Sequence, residues 1–119
     1  MGKRGGPATR PTKSNEFEIL FINSAAAKGW TDLTASAKNA LADAWDCLSR
    51  TPLNHSERQY KLRAGYSSVA YKGVTYDRWQ YKVTGGARIW YLVDEQASGK
   101  HRGSVLLERV SPAHPKETE

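Results

Sequence analysis

The first regular pattern along the chain is an alternation over residues 16–22, where Phe17, Ile19 and Phe21 are interleaved with Glu16, Glu18 and Leu20. A period of two over β-favouring residues predicts a strand. Asn23 and Ser24 then offer capping side chains ahead of residues 25–30, a short predicted helix with Ala26, Trp30 and Leu33 on one side. Thr34 is placed to cap a second helix over residues 35–50. There Ala37, Leu41, Ala44, Trp45 and Leu48 recur at helical spacing while Lys38, Asp43 and Asp46 face outward. Trp30 and Trp45 read as core residues of these helices. Thr51-Pro52 ends the run, because the residue before a proline disfavours the helical conformation.

The pattern weakens over residues 53–76. Residues 59–63 suit a short extended segment, and residues 65–73 suit a loop with some strand content. It sharpens again at residues 76–83 and 88–93, two strands joined by Thr84-Gly85-Gly86-Ala87, a tip whose glycines would supply the positive φ of a tight hairpin. A polar connection over residues 94–102 leads to a last apolar strand at residues 105–110. The order β-α-α-β-β-β predicts an α+β fold, a curled antiparallel sheet with a helical hairpin packed on one face.

Composition narrows this picture. A chain of 119 residues has room for one domain and one modest core. Residues 1–15 carry Lys3, Arg4, Arg10 and Lys13 with no acid and almost nothing apolar, so they read as a flexible basic tail before a single domain over residues 16–119. No apolar run approaches the roughly 18 residues that a membrane helix needs, and no signal-like segment opens the chain. The lone Cys47 excludes an intrachain disulfide, suits a reducing cytoplasm and reads as a small buried apolar group. With three scattered histidines, it leaves no metal-ligand pattern, and neither metal nor cofactor is expected.

Charge adds a functional direction. The formal net charge is +6, and residues 57–88 hold Arg58, Lys61, Arg63, Lys72, Arg78, Lys82 and Arg88 against only Glu57 and Asp77. These bases are interleaved with Tyr60, Tyr66, Tyr71, Tyr76, Trp79 and Tyr81. Phosphate neutralisation combined with base stacking requires such a mixture. A solvated strand face over a core of aromatics is the plain alternative.

The segment YKVTGGARIWYLVDE, followed by GSVLLERVSPAHP, resembles the central hairpin and last strand of RelE/ParE-superfamily toxins, including YoeB-like and HigB-like members. Gly86-Ala87-Arg88-Ile89-Trp90-Tyr91 matches that family's Gly-x-Arg-ϕ-ϕ-Tyr core, and His114 falls where such members often carry a C-terminal His or Tyr. The resemblance implies a ribosome-dependent mRNA endonuclease of a type II toxin–antitoxin system. The ribose 2′-OH would attack the adjacent phosphorus without a metal. That chemistry needs a base, cations on the pentacoordinate phosphate and an acid for the leaving oxygen.

On this reading Arg88 holds the phosphate as a fork, with His114 as acid or base and Lys116 in support. If Arg88 has no such role, it is an exposed strand arginine paired with Glu108 or Asp94. The family's paired lysines on the opposing strand fall here on Trp79 and Tyr81. A one-residue shift places them on Arg78 and Gln80, or on Gln80 and Lys82, so Lys82 joins the catalytic candidates and the general base stays open. Arg78, Gln80 and Lys82 share one face, taken as the RNA face, with Trp79 and Tyr81 in the core. Tyr81 could stack on a base if the register differs. Arg109, Lys61 and Arg63 complete the RNA-binding candidates, and Glu57 reads as a solvated loop residue. The implied partners are a cognate antitoxin, the ribosome and mRNA, with no membrane. Two alternatives remain: a ParE-like DNA gyrase poison, and a non-catalytic nucleic-acid-binding module.

Overall fold

The computed structural model describes residues 5–97 and 99–113. Strand β1 (Phe17–Phe21) leads into α1 (Ser24–Ser36) and α2 (Lys38–Arg50). Asn23 caps α1 as expected, its side-chain oxygen accepting from the Ala26 amide at 2.7 Å. Thr34 is not a cap. Its hydroxyl bonds back to the Trp30 carbonyl at 2.8 Å, so α1 runs on to Ser36. The break falls at Ala37, whose amide closes α1 on Leu33 and whose extended φ of −147° opens α2.

Five strands form a mixed sheet in the order β1-β7-β6-β5-β2, comprising β2 (Gln59–Lys61), β5 (Trp79–Lys82), β6 (Arg88–Asp94) and β7 (Gly103–Ser111) besides β1. The helical hairpin lies on one face, and the fold class is α+β. The sheet is not wholly antiparallel, because β1 runs parallel to β7, with Ile19 opposite Val105. The single strand expected over residues 76–83 is two. Strand β4 (Val74–Asp77) pairs with β3 (Ser68–Tyr71) in a separate two-stranded sheet, and β5 belongs to the main one. Arg78 is the corner between them: its amide bonds to the Ser67 carbonyl, and its carbonyl accepts from Leu62. The tight turn with positive φ sits at Lys72 (49°) and Gly73 (80°), between β3 and β4. Gly85 and Gly86 are not in that conformation, because Thr84 shapes the β5–β6 tip instead. Its hydroxyl accepts from the Gly86 and Ala87 amides.

The core lies between helices and sheet, where Leu33, Leu41 and Leu48 meet Trp79, Tyr81, Ile89, Tyr91, Val105 and Leu107. Each such side chain contributes about 1.5–3 kcal/mol by leaving water. One polar network is embedded in it. Tyr91 donates to the Pro52 carbonyl at 2.7 Å and accepts from Gln59 at 2.9 Å, and the Cys47 thiol donates to Gln59 at 3.2 Å. Cys47 is thus a half-buried hydrogen-bonding group rather than a purely apolar one. Burial raises the Tyr91 phenol above its ordinary value, which keeps it a neutral donor. Trp30 and Trp45 are half-buried at the rim and form an edge-to-face chain with Phe21. No described helix is long and apolar enough to cross a membrane.

Candidate nucleic-acid interface

The face of the sheet away from the helices carries a row of side chains in register: Tyr60, Gln80, Trp90 and Arg109, one from each of β2, β5, β6 and β7. Gln80 is buried at the centre of this row. Its amide nitrogen donates to Tyr60 at 2.8 Å, and its oxygen accepts from the Trp90 indole at 2.8 Å. A glutamine so engaged orients two aromatic rings and is not displayed as a ligand contact. Tyr81, one position on, faces the helices and lies in the core, where burial raises its phenol pKa.

A bulge in β7 opposite Trp90 and Tyr91 inserts Glu108 as an extra residue, which brings Glu108 and Arg109 to neighbouring places. Asn23 covers the bulged backbone by donating to the Glu108 carbonyl at 2.9 Å. Glu108 then takes Arg78 in a two-point contact of 2.8 and 2.7 Å. Arg78 is therefore neutralised, and its guanidinium lies 5.2 Å from the Trp90 ring centre. Arg109 lies over the same ring at 4.9 Å. Beside it a cleft of about 520 Å³ is lined by Asn23, Trp90, Glu108, Arg109, Ser111 and Pro112.

The second cluster surrounds the β5–β6 tip. Lys82 and Arg88 are directly opposed across the two strands on this open face, a like-charge pairing that destabilises a sheet. Arg88 is 5% exposed, not an exposed strand residue. It donates to the Thr84 and Ala87 carbonyls at 2.9 and 3.1 Å, while its Nε has no partner among the described residues. No described carboxylate pairs with Arg88, since Glu108 is engaged by Arg78. Arg58 adds a third cation by holding the Lys82 and Val83 carbonyls. A cleft of about 520 Å³ at the tip is lined by Ser56, Glu57, Arg58, Lys82, Thr84 and Gly85.

The sequence-derived candidates thus separate. Arg88 and Lys82 come together at the tip, and Arg78 and Arg109 meet over Trp90. Gln80 and Tyr81 are withdrawn into the protein. Lys61 shares the face of Trp79 rather than the open one, lies over that ring and pairs with Asp77 at 3.1 Å. Arg63 is exposed beside the 3-10 turn Ala64–Tyr66. His114 and Lys116 lie outside the described residues. Trp90 and Glu108, which organise the open face, look in sequence like ordinary strand residues. Only the bulge gives them their role, and a bulge leaves no local signature. Among the described residues no group of His, Cys, Asp and Glu is arranged to hold a metal.

No protein-family model matches the sequence, and no curated protein matches it. Among solved structures it is similar to a YoeB/ParE toxin from Agrobacterium tumefaciens. The TM-score is 0.58 at 15% identity, over 83% of this chain and 100% of that one. At that identity the likeness shows a shared fold: paired helices on one face of a sheet, with the Arg88 hairpin at its centre.

Proposed function

We propose that this protein is the toxin of a type II toxin–antitoxin pair, acting in the cytoplasm as a ribosome-dependent mRNA endonuclease. The observation that carries the nuclease reading is the tip. Arg88 and Lys82 face each other with no described carboxylate on Arg88, and Arg58 stands beside them. Burying an unpaired guanidinium costs several kcal/mol unless something anionic offsets it. A phosphate is the ligand that suits two cations opposed across the strands, with a third held on the adjoining backbone. As the 2′-OH attacks the adjacent phosphorus, charge grows on the phosphoryl oxygens, and fixed cations stabilise that state more than the ground state. His114 and Lys116 are proposed as the proton-transferring and supporting groups, and an antitoxin would cover the basic tip. The name of the structural relative supports the toxin reading.

Two features favour the second reading, a gyrase poison without nucleolysis. Glu108 neutralises Arg78, and Gln80 and Tyr81 are buried, so the open face has fewer polar contacts for RNA than its sequence promises. Primer extension on cellular mRNA after brief induction separates the readings. The nuclease reading expects new 5′ ends within translated codons within minutes. Growth arrest with intact mRNA would replace it by the gyrase reading.

A further inference from the structure

Tyr66 is a large ring left 37% exposed on the open face, at the end of the 3-10 turn Ala64–Tyr66. The turn is fixed at both ends. The Tyr66 amide bonds to the Arg63 carbonyl, the Ser67 amide to the Ala64 carbonyl, and the Arg78 amide to the Ser67 carbonyl. Ala64 is held at a φ of 55°, which disfavours any residue with a Cβ. The turn keeps that conformation while presenting an aromatic side chain to solvent.

What stands behind Tyr66 is equally fixed. Its ring centre is 6.0 Å from that of Trp90, tilted by 55°. Trp90 is pinned by Gln80 and lies under the guanidiniums of Arg78 and Arg109. Arg109 opens onto the cleft beside Trp90. With Arg78 neutralised by Glu108, Arg109 is the cation that shares Trp90 with the exposed Tyr66 ring. The pair has the two chemistries that single-stranded nucleic acid uses: a π face for a base and charge for a flanking phosphate. Apolar packing alone does not require the cation, and duplex recognition does not require the ring.

We propose that Tyr66 is a stacking platform for an unpaired RNA base, backed by Trp90, with Arg109 as the adjoining phosphate contact. The proposal rests on the RNA reading above and assigns that reading a base-binding position separate from the Arg88 tip. The test titrates full-length protein against a fluorescein-labelled six-adenine RNA and against an abasic ribose-phosphate chain of equal length. Tyr66→Ala is expected to weaken binding of the adenine chain on the order of 5- to 100-fold. Tyr66→Phe is expected to stay within about twofold, because the π face is kept. The abasic chain should bind all three proteins alike, and Tyr66→Ala should leave the salt dependence unchanged. Arg109→Gln should lower the salt slope by about one contact. Thermal melts confirm that the variants are folded. Equal affinity of wild type and Tyr66→Ala for the adenine chain overturns the stacking platform alone. Absence of any RNA binding by the wild type overturns both it and the RNA reading. The expected pattern together with uncut cellular mRNA leaves the platform in place and removes only the nuclease.

Discussion

Arg88 is held by carbonyl oxygens of its own hairpin tip, opposite a lysine and without a described acidic partner. If its charge serves the transition state, Arg88→Ala should lower cleavage about 10²–10³-fold, equivalent to about 3–4 kcal/mol. Ribosome affinity should change far less, because many other cations share that work. Arg88→Lys should recover part of the rate by keeping charge while losing the fork. Single-turnover cleavage beside a binding titration measures both. Glu108 makes a different prediction. Glu108→Gln leaves the largely buried Arg78 without its two-point partner and should destabilise the fold by about 1–3 kcal/mol in denaturant titrations. The position of Arg88 was legible from the Gly-x-Arg-ϕ-ϕ-Tyr pattern, but its burial was not. Strand periodicity assigns a face and says nothing of a side chain folding back onto its own turn.

At the scale of elements, helix α1 approaches strand β7 through Gly29, where a Cβ would collide with the Val110 carbonyl. Gly29→Ala would gain up to about 1 kcal/mol of helix propensity, against an overpacking cost of about 1–3 kcal/mol. The collision is with backbone that cannot swing aside, so a net loss of stability is expected, measured as a lower thermal midpoint. The start of the sheet makes a pH prediction. Arg10 donates to Glu16 at 2.7 Å and the Lys13 amide donates at 2.9 Å, holding the Glu16 carboxyl down at about 2. A lowered folded-state pKa stabilises the protein above the ordinary carboxylate range. That contribution is lost as pH falls through it towards 2. Glu16→Gln should therefore flatten the acid limb of a melting-temperature profile and leave its neutral part nearly unchanged in slope. Strands β1, β6 and β7 were legible from alternation and apolar runs. The parallel pairing of β1 with β7 was not, since register between distant segments has no local signal. Thr34 was misread because a threonine hydroxyl can satisfy a carbonyl one turn back as readily as it caps an amide. The alternation shifts phase at Asp77-Arg78, two polar residues between Tyr76 and Trp79, where the backbone changes sheets; a single strand over residues 76–83 passes over that break, and with it the β3–β4 hairpin.

For the whole molecule, a fold shared at 15% identity leaves the activity to be argued from the tip and the open face. The N-terminal segment belongs to the same electrostatic account. Residues 1–9 precede the Arg10–Glu16 ion pair and carry Lys3 and Arg4 without an acid. Their deletion is proposed to preserve cooperative unfolding while weakening ribosome affinity at low salt, an effect that should shrink as salt rises. The central claim, that the tip cations serve metal-independent cleavage of ribosome-bound mRNA, is tested most directly by end-group analysis. Purified full-length protein is incubated with ribosomes programmed with a labelled mRNA. Once the programmed complex has been isolated, the cut is assayed at a chelator concentration that spares the ribosome. The account predicts a cut within the decoded codon that leaves a 2′,3′-cyclic phosphate and a 5′-hydroxyl, and loss of that product with folded Arg88→Ala. Intact mRNA in the presence of folded wild-type protein, or equal cleavage by Arg88→Ala, would contradict it.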